Sequence, residues 1–122
     1  MPIIDANVIL RYLLNDHPSM SEVAKETIIS GAQTTAEVLA EVVYVLKGVY
    51  QVDRSTIAET LESLIQEISI PNKLVIAYAC RLYGKTSLDF VDCIRFTQKA
   101  PTNGVVRGAF FETFVHFRDS AK

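Results

Sequence analysis

The chain has 122 residues, 49% of them hydrophobic and 21% charged, the composition of an ordinary globular domain. That balance excludes disordered and collagen-like classes, and a chain of this length can bury roughly two-thirds of its unfolded surface without disulfide or metal staples. The net charge of −2, from 12 basic and 14 acidic residues, at first sight argues against a nucleic-acid partner.

Residues 2–5 form a short apolar run ending in Asp5, and 7–14 are apolar with one arginine, which reads as strand, turn, helix. His17-Pro18 closes that unit. Ser19 with Glu22 has the spacing of a capping box, predicting a helix that ends near Gly31. Gln33 to Thr35 reads as a short strand. From Ala36 to Tyr50 the pattern is apolar on most sides and predicts a heavily buried helix. Asp53 is placed to cap the next helix, in which Ile57, Leu61, Leu64, Ile65 and Ile68 recur at helical spacing. Ile68-Ser69-Ile70 before Pro71 reads as a strand, and Asn72 opens a helix that stops at Gly84. Ser87 is the expected cap of a helix from about Leu88 to Ala100. Pro101, Asn103 and Gly104 then break the chain before a last strand over Val105-Val106 and Ala109-Phe110-Phe111. There is no internal repeat or linker, so one domain over 1–122 is expected, with an atypical tail from about 101. Short strands alternating with helices predict an α/β fold with an open, mostly parallel sheet. Asp5 would end its first, central strand, where ligands bind in such folds.

The two cysteines, Cys80 and Cys93, show no CxxC or Cys/His pattern, so neither a disulfide framework nor structural zinc is expected. No run reaches the ~20 apolar residues of a membrane span, and the start lacks the features of a signal peptide. A soluble, unprocessed, cytoplasmic protein is the expectation.

Four acids stand out. Asp5 either faces the binding crevice or merely caps the following helix. Glu41 lies in Val38-Leu-Ala-Glu-Val-Val-Tyr-Val-Leu46, where an ionised carboxylate must be compensated if buried; alternatively Glu37, Glu41, Tyr44 and Gly48 form one solvated stripe. Asp89 and Asp92 are three apart near a helix start and share a face, although first-turn helix electrostatics or pairing with Arg95 also accounts for such acids. Gathered at one site, these carboxylates would repel one another unless a cation sat between them, and all-oxygen donors suit Mg²⁺ or Mn²⁺ rather than zinc. Setting these four aside leaves ten acids against twelve basic residues, a background of +2, so a polyanionic substrate stays open. Asn7 is placed to orient a carboxylate or a metal-bound water. Arg11, Lys47, Lys85 and Arg95 are the nearby cations available for phosphates. His17 and His116 have no nucleophile beside them in the sequence, and no GxGxxG or P-loop motif occurs.

Ile-Ile-Asp-Ala-Asn-Val-Ile-Leu-Arg-Tyr-Leu at 3–13, Val-Leu-Ala-Glu-Val-Val-Tyr-Val-Leu at 38–46 and Leu-Asp-Phe-Val-Asp-Cys at 88–93 follow one another in an order that resembles the PIN-domain family, particularly its VapC-type toxins. The resemblance implies a three-layer α/β/α sandwich with a short, mostly parallel central sheet. It also implies a Mg²⁺- or Mn²⁺-dependent ribonuclease site in which Asp5, Glu41 and Asp92 form the acidic core. Asp89 matches a further acid, and Asn7 the asparagine after the first aspartate. Arg11, Lys85 and Arg95 are the candidate RNA contacts. The implied partners are RNA, a second copy of the chain and a small VapB-like antitoxin, for which Tyr12, Leu13 and Leu14 are candidate surfaces if not core. The tail departs from the family's closing Thr-Phe-Asp. Aligned on Thr113-Phe114, Val115 replaces the acid; aligned on Phe110-Phe111, Glu112 keeps it, with Asp119 a remoter substitute.

The leading expectation is therefore an endoribonuclease toxin. A non-catalytic PIN-like module that binds RNA or protein is the alternative. A phosphatase using Asp5 as nucleophile is a third reading, weakened by Asn7 where a second aspartate is usual.

Overall fold

The structure, a computed structural model, describes residues 1–99. It contains α1 (Ala6–Leu14), α2 (Pro18–Ile29), α3 (Ala36–Gly48), α4 (Arg54–Glu67), α5 (Lys73–Lys85) and α6 (Phe90–Lys99). Among the described residues every regular element is helical, so the expected α/β/α sandwich with a central sheet is corrected to a helical assembly. The three segments read as strands meet only at two isolated parallel bridges, Ile3 with Gln33 and Gln33 with Ser69.

The physical reason is length. Each extended segment is closed at once by a helix start or a proline: Asp5 caps α1, Thr35 caps α3, and Pro71 follows Ile70. Only a few backbone bonds fit between, among them Ile4 N–H to Gln33 O at 2.8 Å and Thr34 N–H to Ser69 O at 2.9 Å. Gln33, not the Asp5 segment, is the middle partner of the three. The strand expected over Val105–Phe111 lies outside the described residues, as do His116 and the tail acids Glu112 and Asp119.

The caps were partly misassigned by motif. Pro18 occupies the first turn of α2, and His17 is its cap, with Nδ1 accepting from Met20 N–H at 3.4 Å; the Ser19/Glu22 box is not used. α6 starts after Asp89, whose carbonyl accepts Cys93 N–H at 2.9 Å, so Ser87 is not its cap. α4 matches its apolar pattern, burying Ile57, Leu61, Leu64 and Ile65.

The core is one cluster in which residues from all these segments meet, including Ile4, Ile9, Leu39, Val42, Leu61, Ile76, Tyr83 and Phe90. Tyr12, Leu13 and Leu14 pack against it, the core reading of those residues; the Tyr12 hydroxyl also donates to Glu67 Oε2 at 2.8 Å, tying α1 to α4. Helix α4 lies along α5, α5 lies against α6, and α3 touches α1, α4 and α6. Cys80 and Cys93 are free and fully buried, and burial pushes both thiols up to about 12. They stay protonated near neutral pH and behave as small apolar groups, poor ligands for a metal.

α5 runs one residue past the expected stop at Gly84 because that glycine serves packing rather than termination. A Cβ there would stand 2.7 Å from the Cβ of Ala58 on α4. Gly84→Ala is therefore expected to destabilise the chain by about 1–3 kcal/mol through overpacking, outweighing the ~1 kcal/mol gain in helix propensity. Thermal unfolding followed by circular dichroism checks this, with Ala58→Gly/Gly84→Ala regaining part of the loss.

Candidate functional site

Helix α3 touches both α1 and α6 and so lies between the segments that carry the acids. Asp5 stands in extended conformation at the N-cap of α1, where its Oδ1 accepts Val8 N–H at 3.1 Å, and it remains exposed. It thus has a structural task whatever else it does. Asn7 is exposed in the first turn of the same helix.

Glu41 faces solvent on α3, together with Glu37, Tyr44 and Gly48. Of the two readings of this helix, the solvated stripe is the one that forms, and the expected heavy burial is confined to Leu39, Val42, Val43 and Leu46. Asp89 is exposed just before α6, and Asp92 is exposed in its first turn, 3.8 Å from the Arg95 guanidinium. That ion pair is too open to water to hold either partner firmly.

Asp89 and Asp92 flank the start of α6, three residues apart. Among the described residues, no group of three or more His, Cys, Asp or Glu side chains stands together as a metal site. The donor chemistry nevertheless fits Mg²⁺ or Mn²⁺, because these hard ions take carboxylate oxygens, keep several waters and need only one or two carboxylates beside substrate phosphates. Asp5, Glu41 and Asp89 have no ion-pair partner among the described residues, which leaves their charge available to a cation.

The expected cations are dispersed. Arg11 pairs with Asp16 at 3.3 Å, Arg95 lies 3.8 Å from Asp92 in a solvent-open pair, and Lys85 borders a separate hollow with Glu59, Glu62 and Arg81. Lys47 alone borders the cleft that Asp89 shares. This cleft, about 590 Å³, lies between α3 and the start of α6, with Tyr44, Lys47, Arg54, Tyr83, Ser87 and Asp89 in its lining.

Two of these residues escape sequence reasoning. Arg54 opens α4, its Nε donating to Tyr83 O at 3.0 Å and its Nη2 donating to Leu88 O, while its guanidinium carbon sits 3.8 Å from the centre of the Tyr83 ring. It ties α4 to the end of α5 and to the residue preceding Asp89. The available signal was electrostatic: a cation at a helix N-terminus opposes the helix dipole, and is there for some other contact. Tyr83 is 2% exposed, packs edge-on to Phe90 and carries a buried hydroxyl with no hydrogen-bond partner among the described residues. Burial raises the Tyr83 phenol above its usual range, against the opposing pull of Arg54.

A family model described as PIN domain matches residues 3–96. No curated protein and no solved structure matches the chain. The matched span holds Asp5, Asn7, Glu41, Asp89 and Asp92 and stops short of Glu112 and Val115.

Proposed function

The chain belongs to the PIN-domain family, whose members are typically nucleases, and on that premise we propose that it is a Mg²⁺- or Mn²⁺-dependent endoribonuclease of the toxin type. The observation that carries this reading is the position of Asp5, Glu41 and Asp92. All three lie inside the matched span and all face solvent; Asp5 caps α1, Glu41 stands on α3 and Asp92 on α6, and α3 touches the other two helices.

In this proposal Asp5, Glu41 and Asp92, helped by Asp89, hold the divalent ion. When bound, such an ion activates water for in-line attack on a phosphodiester and neutralises charge developing on the phosphate. Without a cation these exposed carboxylates repel an RNA backbone, so RNA engagement at the acids is coupled to cation binding. Asn7 would orient a carboxylate through its amide. A small antitoxin belongs to the same toxin reading, and the groove between α1 and α2, lined by Val8, Arg11, Met20 and Val23, is the surface we would test for it. A second copy of the chain remains part of the toxin reading. No described helix is long and apolar enough to cross a membrane.

The test is cleavage of a mixed RNA pool by the purified chain in Mg²⁺, Mn²⁺ or chelator, beside Glu41→Gln. Because Glu41 is exposed, the variant should fold as the parent does. Metal-dependent cutting that the variant lacks is the expected result. A folded parent that binds RNA but never cuts it, with either metal, would favour the non-catalytic module instead. That second reading draws on the scattered carboxylates and on a family match that omits the tail acids.

A further inference from the structure

The cleft between α3 and α6 combines features that the acidic residues alone do not explain. Tyr44 stands on its rim 78% exposed, an unusual position for a large aromatic side chain, and makes no ring contact among the described residues. Lys47 lies three residues further along the same helix and belongs to no ion pair among the described residues. Arg54 contributes a second cation, compensated by carbonyls and a ring rather than by a carboxylate. Tyr83 forms part of the wall, with a buried hydroxyl that has no hydrogen-bond partner among the described residues. Asp89 supplies an exposed carboxylate able to accept from an amino group.

We propose that this cleft is a nucleotide subsite that receives one unpaired nucleotide of single-stranded RNA, its base against Tyr44 and a phosphate beside Lys47. The volume, about 590 Å³, is in the range of small-molecule pockets and admits a nucleotide. An exposed aromatic face next to a cation is the combination that grips an unstacked base and its backbone without strong sequence preference. A duplex keeps its bases stacked and offers no such face. The occupant is RNA rather than a protein segment because the cleft supplies two cations and an exposed aromatic ring, whereas the apolar groove between α1 and α2 has only Arg11, already paired with Asp16, and no aromatic side chain.

The placement relative to the acids defines its role. Tyr44 is three residues from Glu41 on one face of α3, and Asp89, just before α6, is three residues from Asp92 in its first turn, so cleft and acids adjoin along the chain at both helices. A nucleotide seated in the cleft would lie next to the phosphodiester presented to Glu41 and Asp92. This role rests on the nuclease reading; binding in the cleft does not.

The test measures the affinity of a fluorescein-labelled, mixed-sequence single-stranded RNA dodecamer by anisotropy, with Ca²⁺ in place of Mg²⁺ to separate binding from turnover. Tyr44→Ala is expected to weaken binding about tenfold or more, and Tyr44→Phe to retain it. Lys47→Gln is expected to weaken binding and to reduce the salt dependence, the slope of log affinity against log salt, by about 0.7. An RNA duplex should compete poorly. Parental affinity in Tyr44→Ala, or no binding by the parent, would overturn the subsite. So would a change in oligomeric state by light scattering with RNA affinity unchanged, which would make this face a contact between chains. If the parent cuts RNA but Tyr44→Ala binds like the parent, the subsite fails and the nuclease reading stands. If binding depends on Tyr44 but no metal supports cutting, the nuclease reading fails and the cleft remains an RNA-binding site.

Discussion

Asp5→Asn is expected to reduce metal-dependent RNA cleavage by about a hundredfold or more, roughly 3 kcal/mol of lost transition-state stabilisation, while leaving the unfolding temperature nearly unchanged. Two tasks fall to this one side chain, the cap and the proposed metal contact. Asp5 Oδ1 caps α1 by accepting Val8 N–H at 3.1 Å. Asparagine caps a helix about as well as aspartate, because its amide oxygen can accept the same bond. It cannot supply the negative charge that a divalent ion requires. Asp5→Ala removes both functions, and loss of the cap alone should destabilise the chain by about 0.5–2 kcal/mol. An inactive alanine variant is therefore ambiguous, whereas an inactive asparagine variant with parental stability is not. Cleavage rate and thermal unfolding, measured on all three proteins, separate the tasks. If Asp5→Asn cleaves like the parent, Asp5 is a cap and nothing more, and the acidic core must be sought elsewhere.

The same double use explains how much of this site was legible in the sequence. Asp5, Glu41, Asp89 and Asp92 could be picked out because charged residues interrupt apolar runs, and such interruptions need a reason. Pattern alone left open whether Glu41 was buried. Its neighbours Ala40, Val42 and Val43 are apolar, and only packing reveals that Glu37, Glu41 and Tyr44 share the solvated face of α3. The long helices were legible because several turns of periodicity support each one, as in α4, where Ile57, Leu61, Leu64 and Ile65 all turn inward.

The extended segments were not legible in the same way. An apolar run as short as Ile68-Ser69-Ile70 is compatible with a strand or with a connection that touches its neighbour once, and a two-residue alternation cannot be tested over three residues. Local capping rules failed where competing signals lay one residue apart. Pro18 favours the first turn of a helix and so made His17 the cap in place of Ser19. Gly84 looked like a stop because glycine often ends helices, yet its lack of a side chain is used against Ala58. Arg54 and Tyr83 had no local pattern to reveal them, since their partners lie about thirty residues apart in the chain.

Arg54 carries the other large effect. Its guanidinium donates to the carbonyls of Tyr83 and Leu88 and stacks on the Tyr83 ring, which fixes the N-terminus of α4 against the turn leading into α6. Arg54→Ala would leave two carbonyls without that donor and strip one face of a ring that is otherwise enclosed. Hydrogen bonds from a charged donor contribute about 1.5–3 kcal/mol each and a desolvated cation–π contact up to about 2 kcal/mol; because these are not additive, a net loss of about 2–4 kcal/mol is expected. For a domain of this size that corresponds to a fall in Tm of about 10 °C. Arg54→Lys should regain only part of it, since an ammonium cannot reach two divergent carbonyls while lying flat on a ring. The consequence for chemistry follows from position: Leu88 immediately precedes Asp89, and Asp92 lies in the next turn. Arg54 is thus a positioning residue for the acidic start of α6. Measured well below the variant's Tm, Arg54→Lys should lower kcat for RNA cleavage more than it raises KM, because the substrate is still bound while the carboxylates it needs are less firmly held. A Lys variant with parental kcat and reduced Tm would confine Arg54 to stability.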